Sequence, residues 1–358
     1  MTRRALRERC VELIDRLADG TRNDAARDLL ISDVLAWQAR SVPPYAKLVA
    51  AHGSAIDLPA LPTEVFRFAR VAAHPPELDA RVFRTSGTTA APRGAHHLRE
   101  LDLYDRAAHA AARHALFPDL PRMRLVLVAP PVHEAPESSL SYMLDRFADW
   151  FGSTRSTWAV RDDRLDLSPV IGALEEATAA GEPVALLGTS FGFVHLIDGL
   201  AGRTFALRPR SRIMQTGGFK GRSRELSPQA MRALLCATFG VPEELVIAEY
   251  GMTEMSSQLY ENTLRDALMG DDAGPRRICP PGWVRAVPVD PETLVHVPAG
   301  EVGVLRVDDL ANLDTACAIQ TADLARAVSD GVELLGRAPG ATPRGCSLTM
   351  DAVLGAQS

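Results

Sequence analysis

Long apolar runs are missing from this 358-residue sequence. No stretch approaches the ~18 consecutive apolar residues that a helix needs to cross a bilayer, so no membrane span is expected. The net charge of −6 provides no basic surface, which argues against nucleic acid as a partner. With 46% hydrophobic and 23% charged residues, the composition is that of an ordinary globular protein.

Cysteine pairs are missing as well. The five cysteines are scattered and odd in number, and none forms a Cys-x-x-Cys pair. This pattern argues against structural zinc and against a disulfide framework, and it favours reduced thiols in a cytoplasmic protein. Lysine is also scarce, because Lys47 and Lys220 are the only two among 39 basic residues. A specific role for either lysine is therefore worth considering.

Helical periodicity dominates residues 1–75, which we interpret as a helical N-terminal cap on a larger body. Residues 3–19 carry apolar residues on one helical face, and residues 24–38 predict a second helix. The Pro43-Pro44 pair is expected to end this helical region.

Residues 76–280 alternate buried strands with helices, a pattern typical of an α/β body with a largely parallel sheet. From 281–358 the sequence changes to short strands and turns, which predicts a smaller β-rich C-terminal subdomain. In the α/β body, strands are expected at 123–129, 184–188, 213–216 and 245–248, and helices at 139–151 and from Pro228 to just before Gly240.

The run from Arg84 to Gly94 (Arg-Thr-Ser-Gly-Thr-Thr-Ala-Ala-Pro-Arg-Gly) is the most informative stretch. Its hydroxyls and its glycine-rich backbone offer an anion many short donors with little side-chain bulk, as a triphosphate requires. It is not a P-loop, because no Gly-Lys-Ser/Thr follows. We predict that it binds phosphate, while an ordinary polar loop remains the alternative.

Four later segments carry further candidate groups. A second glycine-rich turn, Gly217-Gly218, precedes Lys220 and follows a strand. The run Tyr250-Gly251-Met252-Thr253-Glu254 follows the strand at 245–248, at the edge where open α/β sheets bind ligands. Asp323 is a good partner for vicinal hydroxyls, and Arg337 follows a strand-like segment. Each residue taken alone has an alternative interpretation. Glu254 could be a solvated loop acid, Asp323 a turn or helix-cap residue, and Arg337 a surface cation.

The order of these motifs resembles the adenylate-forming enzyme superfamily of acyl and aryl ligases. The Ser86-to-Gly94 segment is similar to its phosphate loop, with Ala90 where glycine is usual and Arg93 where lysine is usual. The resemblance assigns Tyr250 to Glu254 to the adenine and magnesium motif. It also assigns Asp323 to the ribose and Gly336-Arg337 to the hinge.

Within the superfamily the sequence is closer to the acyl-protein synthetases of the bacterial luminescence fatty-acid reductase system. That similarity includes residues 134–143, 308–312 and 344–348. Because the sequence ends shortly after Arg337, the resemblance implies the compact branch, which lacks the C-terminal domain and its catalytic lysine. In that branch a tail cysteine accepts the acyl group as a thioester, and Cys346 matches its position.

The resemblance implies an adenylate-forming fold, with mostly parallel sheets flanked by helices, and the use of ATP and Mg²⁺. A carboxylic acid, fatty or aryl, would become an acyl-AMP and pass to Cys346, then to a partner such as an acyl reductase. The alternatives are a stand-alone ligase acting on CoA, a carrier-protein thiol or an amine, and an inactive nucleotide-binding subunit. The expected ATP-binding residues are Ser86, Gly87, Thr88, Thr89, Gly94, Gly217, Gly218, Tyr250, Gly251, Thr253, Asp323 and Arg337, with Glu254 on the metal.

Lys220 receives a separate prediction from physical reasoning. Adenylate formation develops negative charge around the α-phosphate and the attacking carboxylate, and a cation placed there stabilises the transition state. Lys220 lies in a glycine-rich turn of a chain that otherwise uses arginine, so we expect it to be catalytic. An exposed turn lysine is the alternative.

Overall fold

The computed structural model describes residues 1–52, 58–86, 92–162, 164–217, 226–271 and 274–338. Within these residues the helices are α1 (Arg3–Arg16), α2 (Asp24–Ser41), α3 (Pro43–His52), α4 (Asp102–Ala115), α5 (Ser139–Phe151), α6 (Leu167–Ala180), α7 (Ser190–Gly199), α8 (Pro228–Phe239) and α9 (Thr263–Met269). None of these helices is long and apolar enough to cross a membrane.

The strands of the same residues begin with β1 (Leu61–Pro62), β2 (Arg81–Arg84), β3 (Ala95–Leu98), β4 (Arg124–Val128), β5 (Thr157–Trp158), β6 (Val160–Arg161), β7 (Arg164–Leu165) and β8 (Val184–Thr189). They continue with β9 (Arg212–Thr216), β10 (Val246–Tyr250), β11 (Leu259–Glu261), β12 (Ile278–Cys279), β13 (Val284–Val289), β14 (Val302–Asp309), β15 (Ala318–Val328) and β16 (Gly331–Arg337).

Local signals explain where several helices begin and end. Helix α8 has the predicted capping, because the Ser227 hydroxyl accepts from the Ala230 N–H and Gly240 ends the helix in the left-handed region. Helix α5 has the predicted bounds. The expected end at Pro43-Pro44 is wrong, since α3 begins at Pro43. Proline is tolerated there because the first helical turn does not use its own N–H groups.

The chain divides into two compact units. The first unit comprises Met1–Ala111, Met252–Gln258 and Arg277–Ser358, and the second comprises Ala112–Gly251 and Leu259–Arg276. The partition of the chain into domains at 1–75, 76–280 and 281–358 stays a prediction.

The second unit is built on a largely parallel sheet, as the strand–helix alternation predicted. Its strand order is β11-β10-β9-β8-β4-β5, with β11 antiparallel and the other neighbours parallel. Thr189 and Thr216, the last residues of β8 and β9, lie in register with Glu249, the last residue but one of β10. Because parallel strands end at one edge, the polar groups that end these strands are neighbours. This edge holds Gly217 and Tyr250-Gly251.

The first unit combines the N-terminal helices with antiparallel strands in the order β13-β14-β15-β16-β12. Strands β2 and β3 form a separate hairpin. Gln38 of α2 joins the N-terminal helices to the residues after β14. Its amide donates to the carbonyls of Asn312 and Leu313, both at 2.8 Å, and its oxygen accepts from the Cys317 N–H.

Candidate functional site

The hairpin β2–β3 fixes both ends of the predicted phosphate loop, residues 86–94, which is called the phosphate loop below. The Thr85 N–H donates to the Gly94 carbonyl at 2.9 Å, and the Gly94 N–H donates to the Thr85 hydroxyl at 2.9 Å. The Arg93 guanidinium donates to the Thr85 carbonyl at 2.7 Å. Ser86 is exposed at the start of the loop. The structure therefore describes the base of the loop, while Gly87, Thr88 and Thr89 lie outside the described residues.

Glu254 approaches this base. A Cβ atom built on Gly94 would lie 3.1 Å from Thr85 Cγ2 and 3.4 Å from Glu254 Oε1, so the carboxylate lies close to the Gly94 backbone. The Glu254 side chain is buried. Two residues that the sequence predicts for ATP and metal binding, Gly94 and Glu254, are thus neighbours.

The donor set fits Mg²⁺ held jointly with phosphate. Mg²⁺ takes one or two carboxylates together with phosphate oxygens and water. Among the described residues there is no group of three or more His, Cys, Asp or Glu side chains that could hold a metal ion. A single carboxylate beside a phosphate loop matches the first arrangement.

The 253–257 turn, which carries Glu254, is fixed by side chains from β14 and the residues that follow it. The Asn312 amide donates to the Glu254 carbonyl at 2.8 Å. Asp309 Oδ2 accepts from the N–H groups of Ser256 and Ser257 at 3.0 and 2.8 Å. Burial raises the pKa of the Asp309 carboxyl, although these donors pull it back down. The sequence analysis assigned no role to these two anchors.

His96 is a third anchor that the sequence analysis missed. Its Nδ1 lies 2.7 Å from the Thr253 carbonyl oxygen, and its Nε2 lies 3.0 Å from the Thr315 hydroxyl. Burial lowers the pKa of His96 to about 4, so the ring is neutral at physiological pH. Phe66 packs against the ring edge-on, with centroids 5.9 Å apart. The sequence signal that could have identified His96 is its place in β3, where a polar residue occupies a position that faces the core.

Asp323 and Arg337 are directly opposite each other on β15 and β16. Arg337 Nε lies 3.4 Å from Asp323 Oδ1, and the Arg337 side chain is 82% exposed. An ion pair with so exposed an arginine adds little stability. Their role in binding ribose stays a prediction.

In the second unit, the turn after β9 is held by Ser190. The Ser190 hydroxyl contacts Gln215 Oε1 at 3.1 Å and the Gly217 carbonyl at 3.0 Å. Gly217 has φ of 69°, a conformation that favours glycine. Gly218 and Lys220 lie outside the described residues.

Glu249 ties this turn to the Tyr250-Gly251 segment. The Thr216 hydroxyl donates to one oxygen of the Glu249 carboxyl, and the other oxygen lies against Gly251, where a Cβ atom would collide with it. Burial raises the pKa of Glu249 to about 7, and the hydrogen bond from Thr216 opposes part of that rise. Glu249 was not singled out from the sequence, although an acid directly after the apolar run Val246-Ile247-Ala248 was a signal.

Residues 46–355 match the family model described as acyl-protein synthetase, LuxE. The chain belongs to this family. The long-chain-fatty-acid–luciferin-component ligase of Vibrio harveyi is 23% identical over 207 residues, which are 54% of this chain and 52% of that protein. This acyl-protein synthetase family member therefore spans about half the length of the curated relative that it matches.

A solved structure that covers most of this chain shares the fold. The 2-hydroxyisobutyryl-CoA ligase in complex with 2-HIB-AMP and CoA gives a TM-score of 0.62 at 15% identity, covering 92% of this chain and 79% of that one. ATP-bound MatB from Rhodopseudomonas palustris is 18% identical with a TM-score of 0.46, covering 73% of this chain and 48% of that one. The predicted adenylate-forming α/β fold is confirmed by the first of these and by the parallel sheet.

The family assignment covers both groups of predicted residues. The first unit holds Ser86, Gly94, Thr253 and Glu254 around the base of the phosphate loop, and Asp323 beside Arg337. The second unit holds Gly217, Tyr250 and Gly251 at the ends of β9 and β10. The tail residue Cys346 lies outside the described residues.

Proposed function

We propose that this chain activates a carboxylic acid with ATP, forming an acyl-AMP and releasing pyrophosphate. The observation that carries this proposal is the Glu254 carboxylate beside Gly94 at the base of the phosphate loop. A carboxylate is a poor acyl donor because its leaving group would be oxide. Attack of the carboxylate on the α-phosphate of ATP replaces that leaving group with AMP.

The chain's own residues bind and orient the reactants in this proposal. The phosphate-loop hydroxyls and backbone N–H groups hold the triphosphate, and Asp323 accepts hydrogen bonds from the ribose hydroxyls. Glu254 would hold Mg²⁺, which supplies positive charge to the phosphates. Lys220 remains our candidate for the cation near the α-phosphate.

The second proposed step transfers the acyl group to Cys346. The thiolate attacks the acyl carbon, a thioester forms and AMP leaves. Two other cysteines are poor candidates: burial raises the pKa of Cys10 to about 12 and that of Cys317 well above its usual range. Their thiols are therefore protonated near neutral pH, and the thiolate is the nucleophilic form.

The name of the Vibrio harveyi relative suggests a long-chain fatty acid as substrate and a protein component as acceptor. We propose the same class of acid here, and a partner protein such as an acyl reductase as the final acceptor in the cytoplasm. A stand-alone ligase that transfers the acyl group to CoA, a carrier-protein thiol or an amine is the alternative.

Pyrophosphate release tests the activity. The full chain with ATP and Mg²⁺ is offered fatty acids of increasing length and a set of aromatic acids. Release with one class supports acid activation, and no release with any acid contradicts it. Intact-mass analysis with the best acid then separates the two acceptors, because only self-acylation adds the mass of an acyl group to the protein.

A further inference from the structure

The proton on the buried His96 ring is fixed by its two partners. The Thr253 carbonyl can only accept, so Nδ1 carries the hydrogen and donates at 2.7 Å. The ring is neutral because burial lowers its pKa to about 4, which leaves Nε2 as an acceptor for the Thr315 hydroxyl. Each nitrogen thus has one defined role.

His96 also joins the two parts of the proposed ATP site that lie in the first unit. It stands two residues after Gly94, on β3, and β3 forms one side of the phosphate-loop base. Its Nδ1–H holds the carbonyl of Thr253, the residue immediately before Glu254. Asn312 and Asp309 fix the same turn, but Asp309 ends β14 and Asn312 follows it. Of these three anchors, His96 is the one placed on the phosphate-loop hairpin.

We propose that His96 is a positioning residue for acid activation: its Nδ1–H sets the distance between the Glu254 carboxylate and the phosphate-loop base. The proposal rests on the proposed function, in which Glu254 and the loop bind magnesium and triphosphate. If the turn is not held, the carboxylate loses its fixed position beside Gly94, and the shared magnesium site loses its geometry.

Two amide variants separate the two nitrogens of the ring. In His96→Asn the side-chain amide can take the place of Nδ1 and still donate to Thr253. In His96→Gln the amide reaches the place of Nε2, so the contact with Thr315 can persist while the donor to Thr253 is lost. A merely structural role for a buried polar residue predicts no such ordering between the two variants.

The test is the Mg²⁺ concentration that gives half-maximal ATP binding, measured by calorimetry on the full chain without any acid. We expect His96→Gln to raise this concentration about tenfold, the size of one lost hydrogen bond, and His96→Asn to stay near wild type. Thr315→Val, which removes the partner of Nε2, should also stay near wild type. Glu254→Gln provides the reference for a lost carboxylate.

Equal Mg²⁺ requirements in the Asn and Gln variants would overturn the inference. So would a raised requirement in Thr315→Val, which keeps the proposal testable if His96→Gln fails to fold. A wild-type chain that binds ATP with magnesium but releases no pyrophosphate with any acid would contradict the proposed function alone, since the titrations still compare the variants. ATP binding that does not depend on magnesium in the wild type would overturn the role of His96.

Discussion

Replacing Glu249 with glutamine should remove a pH-dependent loss of stability. The carboxyl is buried between Thr216 and Gly251, and its pKa rises from 4.5 to about 7. The folded state therefore binds the proton more tightly than the unfolded state does. Below pH 4.5 both states are protonated and no stability is lost. Between about pH 4.5 and pH 7 the unfolded state ionises while the folded state keeps its proton, so the folded state loses stability over this range, and the loss is complete above about pH 7.

The size of this effect follows from the pKa change. At roughly 1.4 kcal/mol per pKa unit, the rise from 4.5 to about 7 corresponds to about 3 kcal/mol of unfolding free energy above pH 7. Glutamine keeps an oxygen that can accept from Thr216 but does not ionise. Glu249→Gln should therefore be more stable than wild type at alkaline pH, by up to about 3 kcal/mol, and the difference should shrink toward acid pH.

Urea denaturation of both proteins at about pH 5 and about pH 8.5 measures the difference. Glu8→Gln serves as the control for the loss of an exposed carboxylate, because the Glu8 side chain is 59% exposed on α1. A stability difference between wild type and Glu249→Gln that is the same at both pH values would refute the reasoning.

Three further predictions concern residues outside the described part of the chain. Thr88→Val combined with Thr89→Val keeps side-chain shape but removes donors, so pyrophosphate release should fall by orders of magnitude while the thermal unfolding midpoint is retained; unchanged turnover contradicts the phosphate-loop assignment. Cys346→Ser should abolish the hydroxylamine-sensitive acyl adduct in intact-mass analysis yet retain pyrophosphate release, whereas Cys236→Ser should keep both. Lys220→Ala should slow pyrophosphate release strongly and weaken ATP binding less, and a wild-type rate would move the cation role to an arginine, with Arg337 tested first.

The parts of the fold that local chemistry determines were predictable from the sequence. The caps of α8 and the buried runs of β4 and β8 lie within a few residues of their predicted positions, because capping and apolar periodicity act over single turns and strands.

The anchors of the site were not predictable in this way. His96 and Thr253 are 157 positions apart, and Asp309 and Ser256 are 53 apart, so no local pattern connects them. The elevated pKa of Glu249 arises from burial at a strand end, which depends on the neighbouring strand. Helix α3 was missed for a different reason: proline reads as a stop signal although it also suits the first turn of a helix.

The interleaved course of the chain affects the order in which its parts can fold during synthesis. The second unit is complete once residue 276 has been made, whereas the first unit still lacks residues 277–358. The contacts of Arg3 with Asp314 and of Gln38 with Leu313 can form only after nearly the whole chain has been synthesised. The N-terminal helices are therefore made first but reach Asp314 and Leu313 only near the end of synthesis, although Glu100 and Asp102, which also pair with α1, are made early. A chain truncated before residue 277 would keep the second unit whole while leaving these helices without Asp314 and Leu313.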